Sequence, residues 1–137
     1  MTAPPAPHSL TGPGIILPAA FRAFRTLREP AYRAYTDAHA SPADSALLLA
    51  RGLGDLAASW SVIMLRSDAT SYAWDLFATT VRHHSGRIRI PVTCPLQYEI
   101  VVLHHLAGWA GCTIEGTSET TGRPLEKVCH LLSTWAP

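Results

Sequence analysis

The sequence predicts an all-α protein, a helical bundle followed by a carboxy-terminal helix-turn-helix. Apolar residues recur at helical spacings over residues 19–86 and again after Pro95, and residues 113–132 read as two short helices joined at Gly122. With 137 residues, 47% of them hydrophobic, the chain can bury one core or two very small ones. We expect four parts: a flexible Pro-rich arm (1–18), a helical part (19–86), a linker (87–95) and the helix-turn-helix part (96–137).

The helical part begins with an amphipathic stretch, residues 19–38, in which aromatic residues alternate with arginines. It follows an arm whose prolines block regular backbone hydrogen bonding. Pro30 disfavours the helical conformation at Glu29 and has no N–H to donate. We therefore expect Pro30 to begin a second helical piece.

The next two helices have clear start signals. Ser41 and Pro42 suit the cap and the first position of a helix whose apolar face runs from Leu47 to Trp60. Gly52 and Gly54 weaken that helix, and we expect them to allow close contact with a neighbouring helix. A further helix is predicted to begin at residues 67–70 and to end near Gly86.

The segment from Arg87 to Val92 alternates polar and apolar residues and contains Pro91. It suits either a short edge strand or an extended linker, and we favour the linker. Pro95 then starts a helix that is expected to stop at Gly108. Its apolar residues share one face: Leu96, Ile100, Leu103 and Leu106.

Composition excludes several classes of protein. The 11 Lys and Arg against 10 Asp and Glu give a formal charge of +1, so there is no global attraction to nucleic acid. The three cysteines are far apart and form no CxxC pair, which indicates reduced thiols. The amino terminus lacks an early cationic run and a long apolar stretch, so we expect a cytoplasmic protein with no membrane association.

Residues 113–132 carry the most informative motif. In a helix-turn-helix, a small residue of the first helix faces its partner, a glycine tolerates the turn, and the second helix buries one apolar face. Ser118 and Gly122 fit the first two positions, and Pro124 fits the first turn of the second helix. The apolar face of that helix is predicted to comprise Leu125, Val128 and Leu132.

These residues resemble a known family. Gly116-Thr117-Ser118, Thr121-Gly122-Arg123-Pro124, Val128 and Leu132 are similar to the pattern EIAxxTGxPxxxVxxxL in region 4 of RNA polymerase sigma factors, particularly the extracytoplasmic-function type. Residues 98–106 look like the preceding scaffold helix. More weakly, the helices of residues 19–86 follow the order of the polymerase-binding region 2. The resemblance implies a degenerate sigma-like transcriptional regulator.

The sequence also departs from the family pattern. Where the family carries acidic residues and a glutamine for docking on polymerase, this chain has Ala46, Leu47, Ala50 and Arg51. Gly116 replaces the customary glutamate, and the basic and aromatic stretch that engages promoter DNA is mostly missing near residues 81–84. An alternative function is therefore a protein-interaction module that keeps the sigma-like fold and has lost DNA and polymerase binding.

If the unit binds double-stranded DNA, its second helix enters the major groove. Arg123, Lys127 and His130 are then the candidates for phosphate or base contact, and Thr121 for contact with the DNA backbone. RNA polymerase or another regulatory protein is the second class of partner. The apolar faces of residues 47–56 and 100–106 also make a homodimer plausible.

Catalytic and metal sites are not indicated. His83-His84 and His104-His105 have no carboxylate or cysteine at an established ligand spacing. The sequence has no Gly-rich phosphate loop, no GxSxG elbow and no HExxH motif. We therefore expect no enzymatic activity, no metal and no cofactor.

Overall fold

The computed structural model describes residues 17–107 and 113–135. Within these ranges the chain is all-helical, as predicted, with no strand. The arm up to residue 16 and the predicted stop at Gly108 lie outside the described residues. The helices are α1 (Ala19–His39), α2 (Pro42–Ala58), α3 (Trp60–Met64), α4 (Ala69–Ser85), α5 (Pro95–Val101), α6 (Ile114–Thr121) and α7 (Leu125–Ser133).

Helix α1 is continuous through Pro30, so the predicted second helical piece is wrong. Pro30 is exposed, and solvent can therefore hydrogen bond to the carbonyl that lacks its helical donor. Next to it, the Glu29 carboxylate accepts hydrogen bonds from Arg25 at 2.8 Å and Arg33 at 2.6 Å, which links the turns on either side. Buried aromatic residues also hold both halves of α1 against the core: Phe21, Tyr32 and Tyr35.

Helix α2 begins as predicted. Pro42 is its first residue, and the Ser41 hydroxyl oxygen accepts a hydrogen bond from the Asp44 N–H at 3.4 Å. Gly52 lies directly against Phe77 of α4, where a Cβ would be 2.5 Å from the ring, whereas Gly54 faces open space. The expected close helix contact is therefore confirmed at Gly52 only.

The main core lies between α1, α2, α3, α4 and α5 and is rich in aromatic residues. Trp74 of α4 is at its centre and is fully buried. Its ring packs edge-on against Tyr35, with centroids 4.9 Å apart, and against Tyr32 at 5.2 Å. Trp60 closes one end of this core against Phe21 at 5.1 Å.

Residues 87–92 form no strand, so the edge-strand alternative is wrong, and Ile88, Ile90 and Val92 pack partly against the main core. Helix α5 then contributes to two cores. Tyr98 packs in the main core, and so do Val102 and Leu103 of the π-helical turn that follows α5. Ile100 instead packs in a second core, with Val128 and Leu131 of α7. The π-helical turn is seen in the bond from the Ala107 N–H to the Val102 carbonyl, five residues earlier. The second core thereby attaches α7 to the bundle.

Most of the apolar faces on which the homodimer was predicted are buried within the chain. Leu48, Leu49, Leu53 and Leu56 are in the core, and so are Ile100 and Leu103. Leu47 and Leu106 remain 70% and 42% exposed. Among the helices of the described residues, none is long and apolar enough to cross a membrane.

Candidate nucleic-acid interface

Helices α6 and α7 form a compact unit joined at Gly122, as the motif predicted. The Thr113 hydroxyl caps α6 by accepting a hydrogen bond from the Gly116 N–H at 2.9 Å. Gly122 ends α6 in the left-handed conformation, with φ of 70°. The Ser118 hydroxyl then donates to the Arg123 carbonyl at 2.6 Å, which fixes the turn.

The turn is packed against the upstream bundle. A Cβ at Gly122 would lie 2.5 Å from the backbone nitrogen of Ser71, near the start of α4. The sequence motif accounts for a glycine here through its backbone conformation alone. The structure adds a second reason, because no side chain fits between this turn and α4.

The buried face of α7 differs from the predicted one. Val128 and Leu131 are buried, and Leu132 packs partly against them. Leu125 is 43% exposed, so its predicted burial is wrong. Pro124 has an extended conformation and precedes α7 instead of lying in its first turn, so Leu125 is the first helical residue and is outside the second core.

The described structure separates the four predicted DNA-contact residues into two groups. Thr121 is fully buried, and its hydroxyl donates to the Thr117 carbonyl at 2.8 Å. Arg123 donates to the Asp75 carboxylate of α4 at 3.0 and 3.1 Å and to the Thr121 carbonyl at 3.0 Å. Both side chains are therefore engaged within the protein.

Lys127 and His130 form the other group. Both are exposed on α7, three residues apart and on the side away from the second core. Glu126 is also exposed on this helix and opposes an anionic partner. We call the surface formed by Lys127 and His130 the α7 basic face.

Two ion pairs connect α4 to the carboxy-terminal half. The first is Asp75 with Arg123, described above. In the second, Arg82 donates to the Glu99 carboxylate of α5 at 3.2 Å, and the same carboxylate accepts a hydrogen bond from the Trp74 indole N–H at 2.8 Å. Burial raises the pKa of Glu99, and the bond from Trp74 opposes that rise.

Sequence reasoning missed Asp75, Glu99 and Gln97. The buried Gln97 amide donates to the Leu131 carbonyl of α7 at 2.9 Å, and its oxygen accepts from the Thr93 N–H at 2.7 Å. Gln97 is 34 positions from its partner Leu131, and Asp75 is 48 positions from its partner Arg123. No local sequence signal marks such a pair.

The comparisons with known proteins identify no relative. No protein-family model matches the chain. No curated protein and no solved structure is significantly similar to it. The resemblance to sigma factors therefore depends on the motif residues of this sequence.

In each of the two pairs of adjacent histidines, the two imidazole rings lie close together. The centroids of His83 and His84 are 5.1 Å apart, and those of His104 and His105 are 4.6 Å apart. In the part of the chain that the structure describes, no three His, Cys, Asp or Glu side chains are grouped so as to hold a metal ion.

Proposed function

We propose that this protein is a cytoplasmic, sigma factor-like transcriptional regulator that binds double-stranded DNA through α7. The observation that carries the proposal is the way in which α7 packs on the rest of the protein. Its apolar face is held on the body by Val128 and Leu131, while the α7 basic face is open to solvent. A helix held in this way suits insertion into the major groove.

The number of cations limits the affinity that this helix can provide. Lys127 and His130 are accessible, and Arg123 joins them if it exchanges Asp75 for a phosphate. That exchange has a small cost, because an ion pair with an exposed partner such as Asp75 contributes about 0 to 1 kcal/mol. Two or three phosphate contacts give weak binding at physiological salt. We therefore propose that the protein binds DNA as a homodimer or together with RNA polymerase.

The proposal is tested by selecting bound fragments from pooled genomic DNA at two salt concentrations, with and without RNA polymerase core enzyme. The expected result is enrichment of a defined site. On that site, Lys127→Gln should weaken binding and reduce the slope of log affinity against log salt by about one.

Arg89→Gln is the matched control, since it removes the same charge from an exposed residue of the linker. It should leave affinity and salt slope unchanged. Equal effects of the two substitutions would show that α7 is not the DNA-binding element.

A second candidate function is a protein-interaction module. It is favoured by the engagement of Thr121 and Arg123 within the protein and by an exposed aliphatic group at α3, in which Val62, Met64 and Leu65 are 53%, 53% and 88% exposed. In this case no DNA is enriched under any condition. The protein would bind a regulatory protein other than RNA polymerase, and Leu65→Ser would weaken that complex.

A further inference from the structure

A cleft of about 740 Å³ lies where the end of α1, the first half of α2 and the end of α4 meet. Its walls combine charged, hydroxyl and aliphatic side chains, among them Asp44, Leu47, Arg51 and His84. None of these residues belongs to the α7 basic face. We propose that this cleft binds a small organic anion, a monocarboxylate with an aliphatic body.

The carboxylate end is assigned to Arg51 and His84. The Arg51 guanidinium lies 2.9 Å from the Nε2 atom of His84. A guanidinium can only donate, so His84 accepts through the Nε2 lone pair and carries its hydrogen on Nδ1. The pair therefore has one positive charge, and within the described ranges no carboxylate lies at ion-pair distance from Arg51. Arg51 thus keeps free donors for a carboxylate, which a guanidinium binds in a bidentate manner.

His39 also lines the cleft, and burial lowers its pKa and so favours the uncharged ring. Its Nδ1 is 2.8 Å from the Tyr35 carbonyl oxygen and its Nε2 is 2.6 Å from the Tyr98 hydroxyl. Both ring nitrogens are engaged inside the protein. The positive charge of the cleft therefore lies on the Arg51 guanidinium, and His84 is its neutral hydrogen-bond acceptor.

The aliphatic body is assigned to Leu47. This side chain is 70% exposed and lines the cleft four residues before Arg51, on the same side of α2. The two residues are separated by about 6 Å along the helix axis. A ligand whose carboxylate is at Arg51 can therefore cover Leu47 with its first few methylene groups, each of which contributes up to about 0.8 kcal/mol when fully buried.

Asp44 determines which chemical group the cleft accepts at the end of the ligand that lies farther from Arg51. It lines the same cleft in the first turn of α2, seven residues or about 10 Å from Arg51 along the helix. A second carboxylate on a long ligand would approach Asp44 and be repelled. The cleft should therefore favour a monocarboxylate over a dicarboxylate of the same length.

The test is an isothermal titration of the full-length protein with octanoate and with octanedioate. Octanoate is expected to bind saturably, and octanedioate at least ten times more weakly. Arg51→Gln should weaken octanoate binding at least tenfold, while Arg22→Gln, an equal loss of charge at an exposed position of α1, should not change it. Near-UV circular dichroism checks that both variants are folded.

Acetate provides the control for the aliphatic wall. Leu47→Asn should weaken octanoate binding and leave the much weaker acetate binding unchanged. The proposal is overturned if octanoate does not bind saturably, if Arg51→Gln binds it as well as wild type, or if octanedioate binds equally well.

Discussion

His39 is held in a single tautomer by the groups around it. The Tyr35 carbonyl oxygen can only accept, so the His39 Nδ1 carries the hydrogen and its Nε2 accepts from the Tyr98 hydroxyl. The Tyr98 oxygen in turn accepts from the Ile88 N–H at 2.9 Å. Protonation of His39 would remove the acceptor of the Tyr98 hydroxyl, so the fold favours the neutral ring.

This arrangement makes stability depend on pH in a defined direction. Burial lowers the pKa of His39 below its ordinary value, although the bond to Tyr35 opposes this. As the pH falls, the unfolded chain takes up a proton on His39 before the folded protein does. The contribution of neutral His39 to the free energy of unfolding is therefore complete above the ordinary pKa, and it is lost as the pH falls through the folded-state pKa. Between about pH 7.5 and about pH 5.5, wild type should lose more free energy of unfolding than His39→Gln.

Urea denaturation at each pH measures the difference. His83→Gln changes an exposed histidine and should keep the wild-type pH dependence. If wild type and His39→Gln lose the same free energy over this range, the neutral-ring assignment is incorrect.

Gly52 and Gly54 provide a paired test of helix packing. Gly52→Ala places a methyl group 2.5 Å from the ring of the buried Phe77, and overpacking of this kind costs about 1 to 3 kcal/mol. Gly54→Ala adds a methyl group in open space and should stabilise the helix by up to about 1 kcal/mol. Thermal denaturation of the two variants should therefore shift in opposite directions, and a shift in the same direction would contradict the close contact of α2 with α4.

At the scale of elements, the turn between α6 and α7 is more constrained than the helix end at Gly86. Both glycines have a left-handed φ, 70° at Gly122 and 76° at Gly86. A Cβ at Gly86 meets no atom within 4 Å, whereas one at Gly122 meets the backbone of Ser71. Only the turn combines backbone strain with a steric conflict.

Alanine substitutions separate these two contributions. Gly86→Ala should cost about 1 to 3 kcal/mol, which is the strain of a backbone conformation, φ of 76° with ψ of −164°, that essentially only glycine adopts. Gly122→Ala should cost more than the strain of a left-handed residue, about 1 to 2 kcal/mol, because α6 must also move away from α4. Free energies of unfolding from urea titrations measure both costs, and a cost of no more than about 2 kcal/mol for Gly122→Ala would mean that the turn is not packed against α4.

Local signals in the sequence predicted most helix boundaries correctly. Ser41 with Pro42, and Pro95, act on their own backbone neighbours, so their effect is visible without the fold. Pro30 and Leu125 were misjudged because packing decided them. At Pro30, burial on both sides outweighed the local preference, and at Leu125 the second core begins three residues later, at Val128.

The candidate site was predictable only in part. The sequence motif indicated the turn and the exposed Lys127 and His130. It could not show that Arg123 pairs with Asp75, which is 48 residues away. Likewise, Thr121 reads as a polar residue near a helix start, and its burial depends on how α6 packs against the bundle.

At the scale of the whole molecule, α5 makes the two halves dependent on each other. The main core is completed by Tyr98 of α5 and by Val102 and Leu103 of the π-helical turn that follows α5. Ile100 of α5 forms the second core with α7. The buried Glu99 also accepts hydrogen bonds from Trp74 and Arg82 of α4. The described residues are therefore expected to unfold in one transition.

A truncation tests this dependence. A fragment of residues 1–92 loses α5 and so leaves the main core open at three buried positions, each worth several kcal/mol when emptied. It should lack the near-UV circular dichroism of native aromatic packing. A fragment that unfolds cooperatively on its own would contradict a shared core.

The bond from the Ile88 N–H to the Tyr98 hydroxyl has a consequence for cleavage by proteases. Ile88 lies between the exposed Arg87 and Arg89, and the guanidinium of Arg87 is also stacked over the Tyr98 ring at 5.1 Å. Trypsin cuts after arginine, but only where the chain can leave the protein surface and enter its active site. Residues 87–89, which the sequence presents as part of a linker, should therefore resist trypsin until the molecule unfolds.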